Sequence, residues 1–174
     1  MVHLRPAIKA DIPLLKRWDE KPHVIAAGGD DGWYDWDREI PRKADWGELL
    51  IAEEGGRPVG VMEIIDPAAE PSHYWGEIEE NLRAIDIWIG EEEDLGRGLG
   101  TQMMRAALDR CFADEKVRAV VIDPLESNAR ARRFYERLGF RFVERRVFDA
   151  DECIVYCLTR ADFEAVRTGA KAKD

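Results

Sequence analysis

The chain has 174 residues, 45% of them hydrophobic and 36% charged, with 36 acidic side chains against 26 basic ones and a net charge of −10. That length suits one domain with its own core; the apolar content excludes wholesale disorder, and no run approaches the ~20 apolar residues of a membrane span. The acid excess argues against nucleic acid as a partner and for a cationic one.

In chain order, residues 3–8 read as a short strand. Asp11 then caps a helix with Ile12, Leu14, Leu15 and Trp18 at helical spacing. Residues 26–32, AAGGDDG, read as a flexible connection, and 33–46 as a short helix and loop. Leu49 to Glu53, the turn Glu54-Gly55-Gly56-Arg57 and Pro58 to Ile65 form a hairpin. Residues 66–81 are an acidic, aromatic loop before Leu82 to Gly90, a central strand alternating around Ile85, Ile87 and Ile89. Gly98 to Ala113 is a helix with Leu99, Met103, Ala106, Ala107 and Cys111 on one face. Val117 to Ile122 is a β-branched buried strand, and Ser127 caps a helix that Gly139 ends. Residues 140–148 and 152–159 close as a hairpin, 161–167 form a last helix, and 169–174 are a loose tail on a single domain of residues 1–168. Strands interleaved with helices predict a mixed α/β sheet.

Charge is unevenly spread. Residues 66–94 carry one base, Arg83, against 10 acids, whereas residues 95–174 carry 16 bases against 13 acids. This reads as a two-sided site, one side for an anion and the other for a polycation. The opening MVHLRPAIKAD lacks an apolar signal stretch, and Cys111, Cys153 and Cys157 cannot all pair internally. Both point to the reducing cytoplasm. Without a histidine beside them, the thiols suit neither a metal site nor a nucleophile, so no metal is expected.

The anion side is Leu95-Gly96-Arg97-Gly98-Leu99-Gly100-Thr101, between the central strand and the long helix. A strand, a glycine turn and a helix N-terminus aim free N–H groups and the positive helix end at one place. It is neither a P-loop, which needs Gly-Lys-Ser/Thr, nor a dinucleotide fingerprint.

Followed about 27 residues later by SNARARRFYERLGF (Ser127 to Phe140), LGRGLGT resembles the acetyl-CoA site of the GCN5-related N-acetyltransferase (GNAT) superfamily, and the likeness covers nearly the whole chain. One departure is Leu95, where the family usually has Gln or Arg; backbone amides do the cradling, so the site is expected to survive it. The resemblance implies a mixed sheet whose parallel fourth and fifth strands splay apart, flanked by helices. Acetyl-CoA is the implied cosubstrate. Its pantetheine arm would meet backbone near Ile87, Trp88 and Ile89, and its pyrophosphate the amides of Gly96, Arg97, Gly98, Leu99, Gly100 and Thr101. Asn128 would hydrogen-bond the arm, and Tyr135 would protonate the departing thiolate.

Within the superfamily, LRAIDIWIG, DLGRGLGT and FADEKVRAVVIDPLESNARARRFYERLGF are most similar to bacterial aminoglycoside 6'-N-acetyltransferases. That likeness implies that Asp86 contacts the reacting amine and takes its proton, and that Asp123 also contacts the drug. Glu77, Glu79 and Glu80 are candidates for further contacts, and Trp75 for stacking on a sugar ring. The chemistry asks for such a carboxylate independently, because an ammonium must lose a proton before its nitrogen can attack a thioester. A second departure is Ala26-Ala27, where the aminoglycoside enzymes carry a tryptophan pair; Trp33, Tyr34 or Trp36 would have to supply that wall. The alternatives are acetylation of another small amine (a siderophore precursor or a polyamine), acetylation of a protein N-terminus, and a non-catalytic acetyl-CoA sensor. The enzyme is expected to be a monomer or homodimer.

Overall fold

The structure is a computed structural model describing residues 1–28, 34–42 and 44–169. Among these, seven strands form one sheet: β1 (Val2–Pro6), β2 (Gly47–Glu54), β3 (Arg57–Ile65), β4 (Leu82–Ile89), β5 (Ala119–Ile122), β6 (Arg141–Phe148) and β7 (Asp151–Thr159). Their spatial order is β1-β2-β3-β4-β5-β7-β6, and every neighbouring pair is antiparallel except β4–β5. The helices are α1 (Ile12–Asp19), α2 (Pro22–Gly28), α3 (Trp36–Glu39), α4 (Leu99–Phe112), α5 (Ala129–Arg137) and α6 (Arg160–Thr168). The mixed α/β sheet with one parallel pair is the expected architecture.

Alternation along the strands sends neighbouring residues to opposite faces. Odd residues of β4 (Ile85, Ile87, Ile89) pack with α4, whose Leu99, Met103, Met104, Ala107, Leu108 and Cys111 fill the largest core cluster. Truncating one of these large side chains to alanine costs ~2–5 kcal/mol. On the opposite face lie two smaller clusters. One joins Leu15 and Trp18 of α1 to Trp36, Ile51 and Val61; the other joins Trp75, Leu82 and Ala84 to Val121, Phe148 and Val155. Gly90 makes room for the first, since a Cβ there would stand 1.9 Å from the Trp18 indole.

Two caps and one segment differ from expectation. Asp11 does not cap α1 with its side chain; it accepts the Ile8 amide at 2.8 Å and a two-pronged pair from Arg5 at 2.7 and 2.8 Å. Asn128, not Ser127, caps α5, accepting the Ala131 amide at 3.0 Å. Residues 26–28, read as a flexible connection, extend α2 instead; 29–32 lie outside the described residues. Gly139 ends α5 at φ 97°, as its position implies.

Candidate active site

The gap between the two smaller clusters is polar. Val61 of β3 belongs to one cluster and Ile65 packs on the other; Glu63 stands between them on the same face. Asp86 of β4 is the register partner of Glu63, so two carboxylates face each other across the strands at the floor of a trench. Tyr34 leans over them. Its hydroxyl donates to Glu63 Oε2 at 2.7 Å and lies 3.4 Å from Asp86 Oδ2. Glu63 is 8% exposed, and burial pushes its carboxyl above the usual range despite the Tyr34 hydrogen bond and the Arg42 charge. Burial, then the Asp86 and Glu63 charges, push the Tyr34 phenol well up, so it stays protonated.

The trench opens into a cavity of about 570 Å³. Among the described residues its wall carries Asp35, Glu39, Glu63, Glu70, Asp86, Asp123 and Asp149 against one arginine, Arg42. That arginine is held by Glu39 and Glu63 and lies 4.0 Å over the Trp46 ring. Such a one-signed, partly desolvated surface attracts cations strongly. Asp123, just past β5, accepts the Tyr74 hydroxyl at 2.7 Å, and Tyr74 stacks on Phe148 at 4.5 Å.

The same cavity runs between β4 and β5. Their ladder covers three positions and stops at Ala84↔Val121, while β4 continues five residues further. Ile85, Ile87 and Ile89 direct their backbone groups to this open side. Even positions turn theirs toward β3, as the Gly90 amide donating to Val59 shows. Trp88, expected at the cofactor edge, therefore has its backbone on the wrong side, with its carbonyl 2.6 Å from where a Cβ of Gly60 would be. The Ile89 carbonyl is also engaged, by His23 Nε2 at 2.9 Å. Backbone for a pantetheine arm thus remains at the Ile85 carbonyl, Ile87 and the Ile89 amide.

At the end of the gap α4 begins. Gly96 and Gly98 both hold φ 78°, a left-handed conformation that favours glycine and turns the chain into the helix N-terminus. The first α4 amides have no helical partner and suit a pyrophosphate. The Arg97 side chain points back to the protein, leaving its amide as the group offered to a pyrophosphate. Its guanidinium is tied to Asp94 and to Glu54 at 3.0 Å, so it braces the turn. Asp94, 1% exposed, also takes a bidentate pair from Arg57 at 2.8 Å, which holds its carboxyl below the usual range. The cavity beside the open ladder suits the arm of acetyl-CoA, and the glycine turn beyond the end of β4 suits its diphosphate.

Tyr135 of α5 lines this cavity from the far side. It is 8% exposed; burial, with the Asp86 and Asp123 charges behind it, pushes its phenol up. Asn128 and Ala131 line the same wall, but the Asn128 side-chain oxygen is spent on its cap and leaves the amide NH2 for a ligand. Cys111 and Cys157 lie outside this cavity, and burial pushes the Cys111 thiol up to about 12 and raises Cys157; Cys153 is a buried residue of its lining.

Asp86, Asp123, Tyr135, Asn128 and the Ile87 strand edge therefore meet in one cavity, whose lining also includes Trp75 and Trp88, whereas the predicted glutamates of the loop before β4 lie outside it. Trp75 is 3% exposed, its ring edge-on to Phe148, and offers no face for a sugar. Glu77, Glu79 and Glu80 are exposed away from the cavity, and Glu79 pairs with Arg118. Trp36 is buried and Trp33 lies outside the described residues, so Tyr34 forms the aromatic wall, stacked on Trp36 at 4.9 Å. Glu39, Glu63 and Glu70 are cavity residues that the sequence reading missed. A glutamate inside the apolar run Val61-Met62-Glu63-Ile64-Ile65 was the available signal for one of them.

A parallel-strand gap fed by a glycine turn, with a carboxylate and a phenol on its walls, defines an acyltransferase site of the GNAT type. Residues 7–148 match the acetyltransferase (GNAT) domain, and the chain belongs to that family. Among similar proteins is the aminoglycoside N(6')-acetyltransferase type 1 of Klebsiella pneumoniae, 30% identical over 97% of this chain and 88% of that protein. A kanamycin resistance protein of Rhizobium radiobacter is 38% identical over 58% of this chain and 94% of its own. The crystal structure of aminoglycoside acetyltransferase AAC(6')-Ib in complex with coenzyme A and kanamycin superimposes with a TM-score of 0.85 at 26% identity, covering 96% of this chain and 99% of that one. No helix among the described residues is long and apolar enough to cross a membrane.

Proposed function

We propose that this protein transfers the acetyl group of acetyl-CoA directly to a primary amine of a cationic small molecule, the 6'-amine of an aminoglycoside. The observation that carries this reading is the continuity of one cavity from the acidic trench, with Asp86 on its floor, to the open β4–β5 edge, with Tyr135 on its wall. The aminoglycoside acetyltransferases similar to it along nearly its whole length supply the substrate class.

Each residue has a task. Acetyl-CoA, when bound, supplies an activated thioester carbonyl. The Ile85 carbonyl, Ile87 and the Ile89 amide give its arm backbone partners, and the α4 amides receive its diphosphate. The trench carboxylates draw in the polyamine and hold its ammonium groups by charge. Asp86 orients the reacting nitrogen and takes its proton as the N–C bond forms. Tyr135 keeps its proton at neutral pH and gives it to the leaving sulfur. Direct transfer needs no acyl-cysteine, and Cys111 and Cys157, whose thiols burial raises, lie outside the cavity.

Incubation with acetyl-CoA and a panel of amines, followed by thiol release, tests the reading. Kanamycin and tobramycin should turn over fastest. Turnover with spermidine or a lysine derivative but with no 6'-amino aminoglycoside would retain the acetyltransferase and overturn the drug assignment.

A further inference from the structure

Glu63, a residue with no counterpart in the proposed acid–base pair, touches the same phenol that touches Asp86. Tyr34 has one proton and two carboxylate neighbours. It gives that proton to Glu63 at 2.7 Å and turns its oxygen toward Asp86 at 3.4 Å. While Asp86 is ionised, its contact with this oxygen is a poor one. Once Asp86 has accepted a proton, its O–H has an acceptor ready in Tyr34. The three groups are thus aligned to hand a proton along: Asp86 to the Tyr34 oxygen, and the Tyr34 proton to Glu63.

We propose that Glu63 is the store for the proton removed from the substrate amine, reached from Asp86 through Tyr34. This rests on Asp86 being the base. The balance is simple. The ammonium first gives one proton to solvent; the neutral nitrogen then loses a second as it bonds to carbon and the C–S bond breaks, Asp86 gains and passes that proton, Tyr34 exchanges one for another, and Glu63 ends neutral, while Tyr135 gives its proton to the sulfur and regains one from solvent. No charge is left on the phenol. A buried carboxyl is a better resting place for a proton than an exposed one, because neutralisation removes a desolvated charge. The surroundings of Glu63 set this balance: Tyr34 and Arg42 favour its charged form, while Glu39 of α3, Glu70 of the loop after β3 and burial oppose it. Leu49, its register partner on β2, adds no charge. Glu63 then returns its proton to solvent before the next turnover.

The sign follows from the raised carboxyl. Glu63 must be ionised to receive a proton, so the relay works at high pH and is lost as pH falls through the range in which Glu63 protonates. Glu63→Gln preserves the acceptor for Tyr34 and cannot store the proton. At saturating substrates and pH 8, its kcat should fall roughly 10- to 100-fold, at or below the low end of what proton-transfer catalysis contributes. Wild type and Glu63→Gln should converge as pH is lowered. Tyr34→Phe should behave alike, and the double variant should be no slower than either single one. A wild-type-to-variant ratio that stays constant with pH, or additive losses in the double variant, would overturn the relay. Asp86→Asn separates the two claims. If it is crippled while the ratio is flat, the relay alone falls; if it retains full kcat, Asp86 is not the base and the relay falls with it.

Discussion

Asp86 and Glu63 stand opposite each other in the β3–β4 ladder, at the junction of two apolar clusters that would otherwise meet. An uninterrupted apolar face would have been the more stable solution, because a buried carboxylate loses its hydration. Two acids at this point leave a trench where the molecule forgoes stability, and trench and acceptor pocket are the same feature.

The first consequence concerns Asp86. Asp86→Asn keeps the shape and removes the charge and the proton acceptor. kcat/KM for the amine should fall by about 10²- to 10⁴-fold, the range of general-base participation. Binding of acetyl-CoA, followed by calorimetry, should be nearly unchanged, since that ligand meets backbone on the other side of β4.

Tyr135 predicts a different pattern. Tyr135→Phe removes one oxygen from a buried ring packed on Phe134 and Phe140. Melting should hardly move, as the swap nearly conserves volume. kcat should fall by about 10²-fold with both KM values nearly unchanged, and the loss should lessen for a thioester whose thiolate leaves without a proton. Equal losses for good and poor leaving groups would exclude Tyr135 as the acid.

The glycine turn is braced from below by Asp94, between Arg57 and Arg97. Asp94→Asn breaks both pairs and frees the turn that shapes the start of α4. KM for acetyl-CoA should rise roughly 10-fold while KM for the amine stays, since misplacing a binding element acts on the ligand it holds. A rise in both would place the defect elsewhere.

Stability toward acid has a local source in Asp11. Burial opposes its charge, but the Arg5 pair and the Ile8 amide outweigh it and hold the carboxyl low. For a depressed carboxyl, the stabilisation is present above the unfolded pKa and is lost as pH falls through the folded one. Asp11→Asn should therefore cost about 2 kcal/mol in urea unfolding at pH 7. The difference from wild type should shrink below pH 4, near the ordinary carboxylate range.

Legibility in the sequence followed local rules. The LGRGLGT turn and α4 were readable because left-handed glycines and a helical apolar stripe leave strong marks. So was Asp86, a charge within an isoleucine strand. The acid-rich segment 66–94 misled in one respect: of its ten acids, the cavity takes Glu70 and Asp86. Glu91 pairs with Lys21 and Asp94 with Arg57, whereas Glu79 turns outward to Arg118. Closeness in sequence to β4 is not closeness in space, for the loop turns at Gly76 and Asn81, both at positive φ. The remaining cavity acids come from β3, from Asp35 and α3, and from the loops after β5 and β6. That gathering depends on strand order, which composition does not encode. Tyr34 was one of three candidates for the aromatic wall, and only packing distinguishes it from Trp36.

The central claim is that this cavity delivers an acetyl group to one particular nitrogen. NMR of the product from wild-type enzyme, acetyl-CoA and kanamycin tests it most directly. A single new acetamide on the 6'-nitrogen is predicted, with no product from an otherwise similar aminoglycoside carrying a 6'-hydroxyl. An acetyl group on another nitrogen, or thiol release without an acetylated drug, would contradict it.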